Sequence, residues 1–236
     1  EAAFRRLVKR DAAIAGELLL DLLALQRVAY PHPVAYDLVL GLGRGCVRVT
    51  VGEGPPVIEL QGAARTREEV DFRVQGAPAP IARLLIARGI WRRLGGWVGG
   101  RVARVRGRRG GLVALEALLS MPLDLVALRD AGATLRAQSI LGLVTGMVDG
   151  AWTAGESFVI AHRDPDAEVT YLTVHDGRAL VVTRTAPVGR VATTIDGPAD
   201  VLVAVLSGAP APDGRVSGDE GPLQSLRTWI KRAQSA

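Results

Sequence analysis

Side chains of the kinds that do chemistry stand close together in the second half of this chain. His162, Asp164 and Asp166 fall within one short stretch, and His175 directly precedes Asp176. Imidazole and carboxylate groups could hold a metal ion, but such a site needs a third or fourth donor at suitable spacing. The sequence supplies no such donor. The pattern therefore favours turn and hairpin roles for these residues, and it predicts neither a metal site nor a cofactor.

Other candidate nucleophiles and phosphate-binding groups lack the context that their chemistry needs. Cys46, the only cysteine, has no His partner nearby in sequence, and its place in an alternating strand pattern predicts a buried thiol. The glycine-rich segment 41–45 joins two strands instead of opening a helix, unlike a phosphate-binding loop. Ser157 and Ser217 lack a nucleophile-elbow signature. We therefore predict no catalytic residue and favour a protein that is not an enzyme. An enzyme acting on a hydrophobic substrate is the alternative left open.

The positive charge of the chain is concentrated in one segment. From Phe72 to Leu115 there are ten arginines and no acidic residue. Because the whole chain carries +5, the remaining residues together carry −5. Tryptophans interleaved with cations are typical of a surface that meets anionic lipid headgroups. The residues predicted to contact a membrane or another anion are Trp91, Arg92, Arg93, Trp97, Arg101 and Arg104.

The charge of this basic segment also fits roles other than membrane contact. Nucleic-acid phosphates attract the same charge, but the sequence lacks the strand-borne aromatic motifs that stack on bases, which argues against nucleic acid. A solvated basic surface or a subunit interface facing the acidic remainder stays open. The oligomeric state is not predicted.

Hydrophobic periodicity divides the chain into runs of strands and runs of helices. Apolar residues at helical spacing predict a helix over 11–29, which Pro31 and Pro33 end. Further helices are predicted at 80–87, 112–121, 134–150, 200–206 and 223–233. Strands are predicted at 36–42, 46–51, 57–60, 70–74, 158–162, 169–174, 180–185 and 190–195. Strand runs beside helix runs indicate the α+β class.

Two long stretches of the chain echo each other. Residues 49–54 line up with 172–177, residues 71–76 line up with 192–197, and Gly107 lines up with Gly218. Such an echo indicates a domain-sized unit used twice, and 236 residues are enough for two small cores. We predict a first unit at 1–121 that carries the Arg-rich insertion, a linking helix at 122–133, and a second unit at 134–236.

The second copy resembles a sterol carrier protein (SCP-2-like) domain. The hairpin 171–177, the stretch 194–202 and the ending 207–223 carry the resemblance, and the first copy shares it only through the repeat. The resemblance implies two units, each a curved, mainly antiparallel sheet covered by helices on one face. It also implies an apolar tunnel for a sterol, fatty acid or acyl-CoA and no shared catalytic machinery.

These observations together predict binding and transfer of a hydrophobic small molecule. The alternative is an interaction or dimerisation module that serves an enzyme, since apolar helix stripes also pack ordinary cores. No apolar run reaches the length needed to cross a bilayer, and a single cysteine fits a reducing compartment, so we predict a cytoplasmic protein. The predicted ligand-binding residues are Leu18, Leu22, Leu25, Leu115, Leu118, Ile140, Leu143, Met147, Leu226, Trp229 and Ile230.

Overall fold

The chain divides into two compact units, Glu1–Pro122 and Leu123–Ala236, here called unit 1 and unit 2. The computed structural model describes residues 2–23, 34–40, 46–51, 56–61, 70–86, 103–107, 125, 135–211 and 214–235. Within these residues there are two five-stranded mixed sheets and six α-helices. Of the predicted linking helix, only Leu125 is described, and it is helical and buried. The predicted boundaries at 121 and 133 stay predictions.

The described helices of unit 1 are α1 (Ala2–Arg10), α2 (Ala12–Leu22) and α3 (Pro78–Ile86). Asp11 separates the first two. Its backbone N–H donates to the Leu7 carbonyl at 2.7 Å, and its Oδ1 accepts hydrogen bonds from the N–H groups of Ala13 and Ile14 at 2.9 and 3.0 Å. An aspartate in this position satisfies N–H groups that the first turn of a helix leaves free. The predicted helix 11–29 therefore begins at Ala12, and its residues after Leu23 lie outside the described part.

The sheet of unit 1 contains one parallel and three antiparallel pairs of strands. Its strands are β1 (Val34–Leu40), β2 (Cys46–Val51), β3 (Val57–Gln61), β4 (Phe72–Gly76) and β5 (Arg104–Gly107), in the order β3-β2-β1-β4-β5. The parallel pair is β1 with β4. Alternate side chains of these strands form an apolar face in which Tyr36, Leu38 and Phe72 are all at most 1% exposed. The rings of Tyr36 and Phe72 stack with centroids 4.8 Å apart.

Unit 2 opens with α4 (Ala137–Met147) and a 3-10 helix (Gly150–Thr153). Its strands are β6 (Phe158–Arg163), β7 (Thr170–Val174), β8 (Val181–Thr183), β9 (Thr193–Asp196) and β10 (Arg215–Gly218), in the order β10-β9-β6-β7-β8. α5 (Ala199–Ser207) lies between β9 and β10, and α6 (Gly221–Gln234) follows β10. The parallel pair is β6 with β9.

The two sheets share their strand order and every strand direction. Tyr36 pairs with Phe72 across β1 and β4, and Ile160 pairs with Thr193 across β6 and β9. The next pairs outward are Phe72 with Gly107 and Thr193 with Gly218. The residues that echo each other in sequence therefore occupy equivalent places in the two sheets.

The matched glycines have a common structural reason. Gly107 and Gly218 both adopt positive φ, at 104° and 98°. A side chain at either position would also collide with a backbone carbonyl, that of Asp71 in unit 1 and that of Ala192 in unit 2. Only glycine meets both demands without strain.

Candidate hydrophobic ligand site

The helices of unit 2 cover strands on the side of the sheet where the apolar side chains gather. α4 contacts β7 and β8, α6 contacts β6, and α5 contacts β9 and both other helices. On β6, Phe158 and Ile160 share a face because side chains two residues apart in a strand point the same way. The ring of Phe158 stacks on that of Trp229 in α6, with centroids 6.1 Å apart, so this face looks toward the helices.

The predicted ligand-binding residues that the structure describes all lie in the interior. In unit 1, Leu18 and Leu22 of α2 are at most 1% exposed. Leu25, Leu115 and Leu118 lie outside the described residues. Burial is what a packed core and a ligand wall both require, so contact with a ligand stays a prediction. The six predicted residues of unit 2, on α4 and α6, are all buried: Ile140, Leu143, Met147, Leu226, Trp229 and Ile230.

Two aromatic contacts fasten the start of β6 and the 3-10 helix to α6. Besides the pair formed by Phe158 and Trp229, the guanidinium of Arg232 lies 4.4 Å from the ring centroid of Trp152. A cation over an indole face is attracted by the ring quadrupole. Sequence reasoning missed Phe158 and Trp152, because nothing in their spacing shows which helix they contact.

Turn roles are confirmed for the acidic residues that could have suggested chemistry. The N–H of Asp166 donates to Asp164 Oδ1 at 3.0 Å, within the turn that follows β6. Asp176 Oδ1 accepts a hydrogen bond from the Gly155 N–H at 2.6 Å, which ties the β7–β8 turn to the segment before β6. In the described part of the chain, no group of three or more His, Cys, Asp or Glu is placed to hold a metal ion.

His162 lies in the strand predicted over 158–162, and it takes no part in the turn that the sequence suggested for its cluster. It lies inside β6, opposite Thr170 of β7 and Ile195 of β9, and it is 0% exposed. It shares the helix-facing side of the strand with Phe158 and Ile160. Neither of its ring nitrogens makes a hydrogen bond. The turn begins two residues later, so the cluster predicted from sequence contributes one buried imidazole and two surface carboxylates.

The surroundings of His162 keep its ring neutral at pH 7. Burial lowers the pKa of His162 below its ordinary value. The negative charges of Asp164 and Asp196 and the nearby backbone of Gly197 and Pro198 act in the opposite direction, but they do not outweigh burial.

Unit 1 buries a cluster of charged side chains on the face of its sheet opposite the apolar face. We call it the Asp37 cluster (Asp37, Arg48 and Arg73). The strand register places the three residues side by side on β1, β2 and β4. Arg48 Nε and Arg73 donate to the two carboxylate oxygens of Asp37 at 2.9 and 3.0 Å, and Asp37 is 0% exposed. Sequence reasoning missed this cluster, because only the register brings the three residues together.

The Asp37 cluster holds its carboxyl ionised and its neighbour Cys46 protonated. Burial raises the pKa of Asp37, but hydrogen bonds and charges from Arg48 and Arg73 outweigh it and leave the pKa below its ordinary value. Burial and the charge of Asp37 raise the pKa of the Cys46 thiol. The thiol is 1% exposed, so the prediction of a buried Cys46 is confirmed.

The predicted membrane or anion contacts fall almost entirely outside the described residues. Trp91, Arg92, Arg93, Trp97 and Arg101 lie there, and the described backbone of Arg104 pairs with Gln75 in the sheet of unit 1. Among the helices that the structure describes, none combines the length and the apolar character needed to cross a membrane.

Comparison with known proteins gives only weak likenesses. The sequence matches no family profile and no curated protein. A solved structure of the UbiJ-SCP2 ubiquinone synthesis protein is similar over 41% of this chain and 94% of its own, at 16% identity and a TM-score of 0.31. The inverting sec-alkylsulfatase Pisa1 from Pseudomonas sp. is similar over 50% of this chain and 19% of its own, at 14% identity and a TM-score of 0.32. Because both TM-scores lie below 0.5, neither likeness identifies the function of this chain.

Proposed function

We propose that this chain is a non-catalytic carrier that binds and transfers a hydrophobic small molecule of the sterol, fatty acid or acyl-CoA class. The observation that carries the proposal is the apolar interior of unit 2, where α4 and α6 bring buried aliphatic side chains against strands β6 to β8. The sequence resemblance of 134–236 to sterol carrier domains supports it. A cytoplasmic location belongs to the same proposal, supported by one unpaired, buried cysteine.

We also propose that the two units are tandem copies of one sterol-carrier-like domain. The shared strand order, the shared directions and the equivalent glycines Gly107 and Gly218 support common descent. The apolar face of the unit 1 sheet then corresponds to the helix-facing side of the unit 2 sheet.

Hydrophobic transfer alone provides enough free energy for such binding. Each methylene moved out of water contributes about 0.8 kcal/mol. An acyl chain that buries about sixteen methylenes gains roughly 13 kcal/mol, which is near the upper part of the association cost of about 4–15 kcal/mol. An apolar interior can therefore hold a lipid without any specific polar contact.

The Arg-rich segment of unit 1 would bring the carrier to an anionic membrane. Each basic residue near such a surface adds about 1 kcal/mol or less, and salt screens the attraction beyond roughly 8 Å at physiological ionic strength. In this proposal the tryptophans at 91 and 97 sit at headgroup level, and the neighbouring arginines meet lipid phosphates.

Transfer of a fluorescent fatty acid between vesicles tests this function. We expect the chain to speed transfer, and to do so more at low salt when the acceptor vesicles contain phosphatidylserine. No acceleration with any acceptor would contradict the carrier function. Two variants distinguish membrane docking from ligand transfer. Four Arg→Ala changes in the basic segment should remove the preference for anionic acceptor vesicles. Four Arg→Ala changes at exposed positions of unit 2 should leave that preference unchanged. The first set is Arg92, Arg93, Arg101 and Arg104, and the control set is Arg178, Arg184, Arg190 and Arg215.

One observation favours a second candidate, an interaction module that serves an enzyme. Val57 on edge strand β3 and Val181 on edge strand β8 are 56% and 46% exposed, at equivalent places in the two sheets. An exposed apolar edge can accept a strand from a partner. This candidate predicts indifference to vesicles and a protein complex that Val181→Lys disrupts, both measurable by vesicle flotation and light scattering.

A further inference from the structure

We propose that His162 binds the polar head group of an amphipathic ligand inside unit 2, through a hydrogen bond at one nitrogen of its imidazole ring. The ligand class is a molecule with a long apolar part and one oxygen head group, either a carboxylate or a hydroxyl. This inference rests on the proposed carrier function, and it adds which chemistry is recognised and in which unit.

The position of His162 directs its ring toward the helix-covered interior. His162 lies on the same face of β6 as Phe158, whose ring stacks on Trp229 of α6. Its neighbours across the two adjacent strands are Thr170 and Ile195, which are 3% and 0% exposed. The imidazole is therefore a polar group in an apolar interior, on the side where the carrier function needs its ligand.

The imidazole lacks the partners that a buried polar group normally has. A neutral ring offers one donor and one acceptor. Neither nitrogen of His162 has a hydrogen-bond partner of good geometry within the chain, although the backbone of Gly197 and Pro198 lies close enough to act on its pKa. Leaving a buried donor or acceptor unpaired costs about 1–3 kcal/mol, and native proteins contain few such groups. A hydrogen-bonding atom from a bound molecule would remove this penalty.

Unit 1 provides an internal comparison for this position. Leu38 occupies the equivalent place, since it pairs with Val47 and Val74 as His162 pairs with Thr170 and Ile195. Leu38 is also 0% exposed. An aliphatic side chain thus satisfies the packing of this fold at the same point, so packing does not require the histidine of unit 2. Because only unit 2 has a histidine at this place, recognition of the ligand's head group is assigned to unit 2.

The binding of three fluorescent probes to the full chain tests this role. The probes are cis-parinaric acid, the corresponding parinaryl alcohol, and diphenylhexatriene, which has no polar atom. We expect His162→Leu to weaken binding of the acid, the alcohol or both by roughly three- to tenfold relative to diphenylhexatriene, since that is what one hydrogen bond contributes. Which of the two probes responds identifies the head group. The matched control is Ile160→Val, a buried residue on the same face of β6, which should change all three affinities in the same proportion.

The possible results separate this inference from the carrier function. If the wild-type chain binds none of the three probes, the carrier function itself fails. If the probes bind but His162→Leu leaves the ratios of their three affinities unchanged, the carrier function stands and the inference that His162 binds the head group is wrong.

Nuclear magnetic resonance of the wild-type chain gives a readout that does not depend on the variant folding. The imidazole signals of His162 should shift on addition of the acid or the alcohol and stay in place with diphenylhexatriene. The chain has three histidines, so His32→Asn and His175→Asn variants assign the signal by difference. An equal response to all three probes, or none, would overturn the inference.

Discussion

Asp37 in unit 1 and His162 in unit 2 are both buried ionisable side chains, but their hydrogen bonding differs. In unit 1, Asp37 is fully buried and both of its carboxylate oxygens accept hydrogen bonds from Arg48 and Arg73. In the equivalent row of unit 2, the neutral Ala161 stands where Asp37 stands. The buried histidine of unit 2, His162, lies on the other face of the sheet, and neither of its ring nitrogens has a hydrogen-bond partner of good geometry. The carboxylate of Asp37 finds its partners within its own sheet, whereas we propose that the imidazole of His162 finds one in a bound ligand.

The Asp37 cluster should be essential to the stability of unit 1. Asp37→Asn removes the buried carboxylate charge to which Arg48 and Arg73 donate hydrogen bonds, and so breaks an ion pair in the interior of the sheet. We expect the unfolding free energy of unit 1 to fall by about 3–5 kcal/mol. The control is Glu59→Gln, an exposed residue opposite Arg48 on β3, which should cost less than about 1 kcal/mol. Equal losses in urea titrations of the two variants would contradict the structural role.

His162 should make the stability of unit 2 depend on pH in a defined direction. Burial lowers its pKa, despite the charges of Asp164 and Asp196, so the folded chain resists a proton that the unfolded chain accepts near pH 6.5. The unfolding free energy should therefore decrease as pH falls below about 6.5, and this decrease should end once the pH is below the folded pKa. His162→Leu should remove this part of the pH dependence.

Urea titrations at several pH values, followed by tryptophan fluorescence, would measure that dependence. Trp91→Phe and Trp97→Phe changes leave Trp152 and Trp229 to report on unit 2. Unchanged slopes in the His162→Leu variant would show that the titration belongs to another group.

The sequence predicts the burial of a residue where burial follows from the local strand period, but it does not predict contacts made by distant strands. Cys46 is buried as its strand alternation indicates, because burial follows from a local period of two. His162 was placed at the end of a predicted strand, beside a predicted turn with Asp164 and Asp166, and the turn proved to begin after β6. The hydrogen bonding of its ring depends on neighbours on β7 and β9, which no local pattern contains.

At the scale of elements, the equivalent glycines carry the sharpest prediction. Gly218→Ala forces a side chain onto the Ala192 carbonyl at a φ of 98°, between the edge strand β10 and β9. We expect a loss of more than about 2 kcal/mol in the unfolding free energy of unit 2. The control is Gly177→Ala at the β7–β8 turn, where φ is 61° but an added Cβ meets nothing within 4 Å. This control should cost about 1–2 kcal/mol, and a Gly218→Ala loss no larger than that would be contrary to the close approach described.

Elements with a strong apolar period were located from sequence, whereas α1 and the bounds of the last short strand of each unit were not. β2 and α6 match their predicted ranges within a few residues. α1 was missed, although Phe4, Leu7 and Val8 have helical spacing and are buried. β5 and β10 are four residues each, and β10 is exposed throughout, so they carry almost no periodic signal. Their places follow only from pairing with β4 and β9.

At the scale of the molecule, the shared strand order of the two sheets and the uneven charge along the chain are the basis for assigning different roles to the two units. The Arg-rich segment belongs to unit 1, and the unpaired imidazole belongs to unit 2. In our proposal, unit 1 brings the chain to an anionic membrane and unit 2 recognises the head group of the ligand.

A larger side chain on α4 should show whether this helix lines a ligand site or only packs the core. Met147 is 6% exposed, and Met147→Trp would occupy space that a ligand needs. We expect at least about a tenfold loss of diphenylhexatriene affinity, equivalent to about two methylenes of lost contact, with little change in stability. Val188→Trp, at a fully exposed position, is the control and should leave the affinity unchanged. If Met147 only packs a core, overpacking should cost about 1–3 kcal/mol of stability instead.

Native mass spectrometry of the intact chain tests the carrier function most directly. We expect the purified chain to carry a small apolar molecule that organic solvent extracts, and to take up dodecanoic acid or dodecanol when it is emptied and incubated with them. A chain that shows only its ligand-free mass, both as purified and after incubation with a fatty acid, a long-chain alcohol and a sterol, would contradict the account.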